Sequence, residues 1–305
     1  MRQAAFLSVV LSVGLLPAGT SAPQFRVGDR IVAITNAVVR SDDTTGMIAK
    51  GNPLVVDKVN GDRLWVVHSS GHGTVAGWIN RSDVIPVSRA LDFFNDELKR
   101  NPTASAYQLH GVMLAMKGEI EMALGELNEA IRLNPKMQDA YMNRAFLWIA
   151  KQEYDKAIAD CEEAIRLDPQ FALGYINRAA AWKARGEYDR AISDLDEAIR
   201  LDPKDGRPWN GRAWIEATCP DATWRNGKIA VDDATKACEL SRWRAANCLD
   251  TLAAAYAEAG DFGAAVKWQT KALEMAAEKK KPDYQSHLDH YKAHKPYREE
   301  PKRPV

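Results

Sequence analysis

The sequence predicts an α+β chain of two parts, a small N-terminal β-barrel followed by an all-α superhelical solenoid of paired helices. Three observations carry that prediction. From about Ala104 onward the chain matches itself at steps of 34 residues. Residues 25 to 87 instead alternate apolar and polar side chains around an Asn60-Gly61 turn, the period of a half-buried strand. The 305 residues are 46% hydrophobic and 27% charged, enough to bury real cores and inconsistent with a disordered or disulfide-dense chain. Lys plus Arg and Asp plus Glu each number 41, so no overall basic footprint is present, which argues against nucleic acid as a partner.

The first 22 residues read as a secretory signal: Met1-Arg2-Gln3 is a short basic start, Ala4 to Leu16 an apolar run, and Pro17 to Ala22 a breaker followed by small residues. A cut after Ala22 leaves Pro23 first, a poor residue just past a cleavage site. No later apolar stretch approaches the roughly 18 residues that a bilayer span needs. The mature chain is therefore expected without a membrane span, secreted or periplasmic, in a compartment that permits disulfides. The second segment, 23–87, holds about five expected strands: Arg30 to Thr35, Ala37 to Arg40, Leu54 to Val59, Leu64 to Val67 and Gly77 to Ile79.

The solenoid is expected over 88–281. A lone helix at 88–101, marked by Ala90, Phe94 and Pro102, caps the front. Repeats follow at about 104–137, 138–171, 172–205, 206–245 and 246–279. Tyr107, Tyr141, Tyr175 and Trp209 are in step, as are Gly111, Ala145, Ala179 and Ala213, then Ala123, Ala157 and Ala191, and finally Pro135, Pro169 and Pro203. Tyr141, Ala145 and Trp148 fall at i, i+4, i+7, and so do Ala157, Cys161 and Ala164, so each unit is two amphipathic helices. Gly118 and Gly186 end first helices and the prolines stop second ones. Small residues at the Gly111 and Ala123 steps let two antiparallel helices approach. The fourth copy is irregular, lengthened by about five residues near Cys219 to Trp224 and lacking its closing proline. Residues 282–305 begin with Tyr284, Leu288 and Tyr291 at helical spacing, a closing helix, and continue from His294 as a loose, charged, proline-bearing tail.

This aromatic, small, small, small, proline frame resembles the tetratricopeptide repeat (TPR) family. Val27-Gly28-Asp29-Arg30, the Asn60-Gly61-Asp62 turn before Trp65, and Gly77-Trp78-Ile79 before Asp83-Val84 are similar to bacterial Src-homology-3-like domains. With Ala217 to Asp221 and Leu249 to Tyr256, the mature chain looks like a family of secreted bacterial barrel-plus-TPR proteins. The TPR resemblance implies a peptide groove lined by the first helix of each repeat. On that helix Met142, Phe146 and Ile149 face away from Tyr141, Ala145 and Trp148; Ile176, Ala180 and Trp214 occupy the same face further on. These six are the expected groove residues, with packing between neighbouring helices as the alternative. The resemblance also raises a clamp on a partner's terminal carboxylate; Asn143 and Asn177 are present, but the basic residues such a clamp needs are not in place.

Arg144, Arg178 and Arg212 recur at steps of 34 and are expected to pair with acids on the next helix rather than to form a free basic ladder. Cys161 takes a slot held by Leu127 and Leu195 and reads as core. A Cys219–Cys238 disulfide would staple the irregular loop, with free buried thiols as the alternative. His287, His290 and His294 have helical spacing but no zinc pattern around them, so a solvated face is expected and no metal. Gly71-His72-Gly73 lies between strands, with no helix N-terminus to receive a phosphate. Trp65 and Trp78 read as core or half-buried. With no nucleophile beside a base and no cofactor loop, the chain is expected to be noncatalytic and free of cofactors. The expected function is a protein-binding scaffold or adaptor of the cell envelope; the alternative is cell-wall (peptidoglycan) binding through the barrel, by analogy alone.

Overall fold

The computed structural model describes residues 25–26, 29–34, 36–40, 45–48, 53–70 and 73–300. The expected signal and the Gly71-His72 pair lie outside them. Among the described residues, seven strands come first: β1 (Arg30–Ala33), β2 (Ala37–Arg40), β3 (Thr45–Ile48), β4 (Pro53–Asn60), β5 (Arg63–Ser70), β6 (Gly73–Asn80) and β7 (Val84–Pro86). They form one antiparallel sheet in the order β3-β2-β6-β5-β4-β1-β7. Its outer strands β3 and β7 do not pair with each other, so the sheet is open, and the closed barrel expected from the sequence is not formed. Asn60 pairs with Arg63, leaving Gly61-Asp62 as the loop; Gly61 takes a φ of 56°, a conformation that suits glycine. Leu54, Val56, Leu64, Val66 and Ile79 face one core with Phe25 and Ile31. Trp65 and Trp78 are half-buried and pack edge to face across β5 and β6, with ring centroids 5.4 Å apart.

Twelve α-helices follow: α1 (Val87–Arg100), α2 (Ala104–Lys117), α3 (Ile120–Leu133), α4 (Gln138–Ala150), α5 (Tyr154–Leu167), α6 (Ala172–Arg185), α7 (Tyr188–Leu201), α8 (Gly206–Thr218), α9 (Gly227–Leu240), α10 (Ala246–Glu258), α11 (Phe262–Met275) and α12 (Lys281–Lys292). None is long and apolar enough to cross a membrane. Helices α2/α3, α4/α5, α6/α7, α8/α9 and α10/α11 are the antiparallel pairs, α1 covers α2, and α12 closes the stack on α11. Val32 of β1 joins Ala90, Phe94 and Met113 in one buried cluster, which seats the sheet on the first helices.

The same contacts recur because the same residues do. Tyr141 and Tyr175 each donate a hydroxyl hydrogen bond at 3.3 Å to Pro135 O and Pro169 O, and Trp209 Nε1 reaches Pro203 O at 3.4 Å. Ala145, Ala179 and Ala213 are buried where paired helices meet. Gly118, Gly186 and Gly260 end α2, α6 and α10 at φ between 83° and 87°; Gln152 holds the equivalent place after α4 at φ 62°.

The arginine series is an internal brace. Arg144 forks onto Asp160 at 2.9 and 2.6 Å, Arg178 onto Asp194 at 2.9 and 2.8 Å, and Arg212 onto Asp233 at 2.6 and 3.0 Å. All three aspartates are buried on the second helix of the pair. Paired in this way, the guanidiniums offer no free basic ladder to a ligand.

The irregular fourth pair differs electrostatically. Glu216 of α8 is buried beside Asp233, and its Oε2 has no hydrogen-bond partner. Burial first, and the Asp233 carboxylate second, push the Glu216 carboxyl up to about 7. A carboxyl whose folded value lies above its unfolded one gives its full stability below the ordinary carboxylate range and loses it as pH rises towards 7. Glu216→Gln is therefore expected to leave stability unchanged at pH 4 and to raise it by about 1 kcal/mol at pH 8, after discounting for residual hydration. Urea midpoints at the two pH values check this; an equal change at both would contradict it.

Candidate functional site

Helices α2, α4, α6, α8 and α10 lie side by side as the inner layer of the solenoid. Positions 34 residues apart line up across them, giving the rows Met142, Ile176, Asn210; Phe146, Ala180, Trp214; and Ile149, Lys183, Ala217. In the middle row Phe146 and Ala180 are presented outward, while Trp214 is half-buried. Phe146 is 64% exposed, a large apolar surface for a lone aromatic ring, and Ala180 is also exposed. Met142 is only 4% exposed and packs in the core with Ala145, Ala179 and Trp182. It is a core residue rather than a groove residue, its unbranched side chain filling the gap between α4 and the next pair. Ile149 is half-buried against the same core. Ile176, Ala180 and Trp214 come together in a cleft of about 800 Å³ that Asn210, Asp250 and His287 also line.

The chain itself occupies the ground beside this cleft. The described part of the expected loose tail, through Glu300, is instead packed across the concave face at Tyr297 to Glu299, for two physical reasons; residues 301–305 lie outside the described residues. Helix α8 ends at Thr218 without a left-handed glycine, so its last carbonyls need donors from elsewhere. The Glu299 N–H supplies Thr218 O at 2.9 Å, and the Arg298 guanidinium supplies Ala217 O at 3.2 Å. The Tyr297 ring also finds an aromatic seat, 4.1 Å from the His287 ring and 6.0 Å from that of Trp214, and its burial pushes the phenol above its ordinary value. The Glu299 carboxylate accepts from Trp214 Nε1 at 2.7 Å and from Lys183 Nζ at 3.1 Å. Arg298 also pairs with Glu258 of α10, which Arg225 approaches at 3.2 Å.

The three spaced histidines go separate ways. His287 is buried, with Nδ1 2.8 Å from Asp250 Oδ1, and the Gln269 amide donates to the same oxygen at 2.7 Å. That polar cluster pins α12 to α10 and corrects the expectation of a solvated face for His287, whereas His290 and His294 are exposed as expected. His290 binds Ser286 O, and the ring of His294 stacks on Phe262. No cluster of three metal-ligating side chains occurs among the described residues. The four cysteines are buried free thiols. Cys219 packs in the core of the middle pairs and Cys238 in that of the last ones beside Cys248, so the Cys219–Cys238 bridge is not formed here. Burial pushes the Cys161 and Cys238 thiols up to about 12, which makes them unreactive.

Sequence reasoning missed Lys183, Asp250, Tyr297 and Glu299. Lys183 and Glu299 lie 116 positions apart in the chain, and no periodicity joins them.

Tetratricopeptide repeat family models match residues 139–171, 172–205 and 245–279. The chain carries tetratricopeptide repeats. The three matched stretches leave out the first pair, α2/α3, and the fourth, which carries the inserted loop. Among solved structures, the TPR solenoid is similar to the APC/C hetero-tetramer Cut9-Hcn1, at 18% identity over 68% of this chain and 40% of that one, with a TM-score of 0.61. Yeast Tom70 matches at 20% identity over 67% of this chain and 43% of that one, with a TM-score of 0.54. TTC0263, a thermophilic TPR protein of Thermus thermophilus, matches at 20% identity over 63% of this chain and all of that one, with a TM-score of 0.52. This chain thus spans less than half the length of the Cut9-Hcn1 and Tom70 chains, and the likeness is one of fold. No curated protein matches the sequence.

Proposed function

We propose that the protein is a noncatalytic scaffold that binds a segment of a protein partner along the concave face of its TPR solenoid. The observation that carries this reading is the row of Phe146, Ala180 and Trp214, with Phe146 bare to solvent, Ala180 exposed and the half-buried Trp214 lining the cleft beside it. TPR folds are typically noncatalytic scaffolds, which agrees with the absence of a nucleophile-and-base pair from the sequence reading. The basic start and apolar run of the first 16 residues support an exported protein and hence an envelope role. The Src-homology-3-like reading of 23–87 rests on its sequence pattern alone, and nothing in the described part of the sheet favours cell-wall binding.

Capture of partners from extract by the full chain and by Phe146→Asp tests the proposal. Since the ring is exposed, the variant is expected to keep the parent's helix content and melting temperature and to lose the captured partner by tenfold or more. A folded variant with an undiminished catch would place binding elsewhere.

A further inference from the structure

The strap over the concave face describes a ligand. Tyr297, Arg298 and Glu299 are consecutive, and each meets a different kind of seat: an aromatic pair from His287 and Trp214, the Glu258 carboxylate with a helix-end carbonyl, and two donors from Lys183 and Trp214. The seats come from α6, α8, α10 and α12 and need no covalent link to the strap. We propose that this half of the groove is a site for a partner segment with an aromatic, an arginine and a carboxylate at successive positions. The chain's own Tyr297-Arg298-Glu299 holds that site as an intramolecular competitor. The proposal deepens the groove reading above and rests on it for the partner being a peptide.

Two further features fit an exchangeable occupant. The strap leaves the cleft lined by Ile176, Ala180 and Trp214 open beside it, so an incoming segment has a place to land next to the contacts it must take over. The strap follows α12 directly through a turn at His294, where φ is 54°. So short a tether confers an effective concentration of order millimolar, so a free segment of the same intrinsic affinity displaces the strap only at about millimolar concentration, and a tighter one at proportionally less.

The test uses the full chain and a labelled peptide with the sequence of residues 294–300, read by fluorescence anisotropy. The double variant Tyr297→Ala, Glu299→Ala is expected to bind this peptide one to one, at least tenfold more tightly than the parent does. Alanine at the peptide position of Glu299 is expected to weaken binding by tenfold or more. Equal affinity for parent and variant, or no binding to a variant that keeps the parent's circular dichroism, would overturn the proposal. So would a parent that is dimeric by light scattering and becomes monomeric in the double variant, since the strap would then be exchanged between copies. Should the double variant lose helix, hydrogen exchange on the parent decides: saturating peptide is expected to strip protection from the Glu299 amide, and unchanged protection refutes displacement. Phe146 makes no contact in this site, so Phe146→Asp is expected to bind the peptide as the parent does. Failure of the peptide leaves the Phe146 test standing, and failure of the Phe146 test leaves this one.

Discussion

Gly227→Ala is expected to destabilise the protein by about 3 kcal/mol, read as a fall in the urea midpoint with an unchanged slope. Gly227 begins α9 immediately after the inserted loop, where the chain must pass close to the end of α10. A Cβ built there lies 2.5 Å from the Ala259 nitrogen, 2.8 Å from the Ala259 Cα and 2.8 Å from the Glu258 carbonyl carbon. All three are backbone atoms, so no side chain can rotate away, and relief requires moving a whole helix end. Gly174 offers a contrast, because there the nearest atom, at 2.8 Å, is Cγ1 of the Ile165 side chain. Gly174→Ala is accordingly expected to cost less. A Gly227→Ala protein within about 0.5 kcal/mol of the parent would mean that the two helix ends do not approach as described.

Arg212→Ala is expected to cost about 3 kcal/mol, the second large effect, and more than Arg178→Ala. Both substitutions strand a buried aspartate. Arg178 leaves Asp194 alone, whereas Arg212 is the cation shared by Asp233 and Asp196, with the buried Glu216 carboxyl beside them. Removing it leaves the buried Asp233 and Glu216 carboxyls facing each other at low local dielectric, with the more exposed Asp196 nearby. The Arg212→Ala loss should shrink as pH falls and the buried Glu216 carboxyl, pushed up to about 7, takes up its proton. Thermal melts of both variants at pH 5 and pH 8 check the ranking, and equal losses for the two arginines would contradict it.

The repeat frame was legible because its constraints are local. Tyr141, Ala145 and Trp148, or Ala157, Cys161 and Ala164, report a buried helical stripe by spacing alone, and proline and glycine mark where each helix stops. The arginine pairings were legible for the same reason, since each aspartate sits on the helix that follows. The groove was legible only in part. Met142 and Phe146 lie one helical turn apart, and spacing cannot tell the edge of a stripe that meets the next repeat from the edge that meets solvent. Open closure of the sheet was hidden by weak strands: Thr45-Gly46-Met47-Ile48 carries a glycine and Val84-Ile85-Pro86 ends on a proline. The strap was invisible because a charged stretch around Pro296 has the composition of a solvated tail. What holds it is a set of seats on four helices, and those on α6, α8 and α10 lie 40 to 116 residues away in sequence.

The most direct test of the concave-face account places a photo-crosslinking amino acid at position 146 in one protein and at position 122 in another. Phe146 on α4 and Met122 on α3 are both large, apolar and exposed, but they belong to the inner and outer layers of the solenoid respectively. Irradiation in extract is expected to trap a partner from position 146 and none from position 122. A partner trapped from 122 and not from 146 would put recognition on the outer helices and contradict the account.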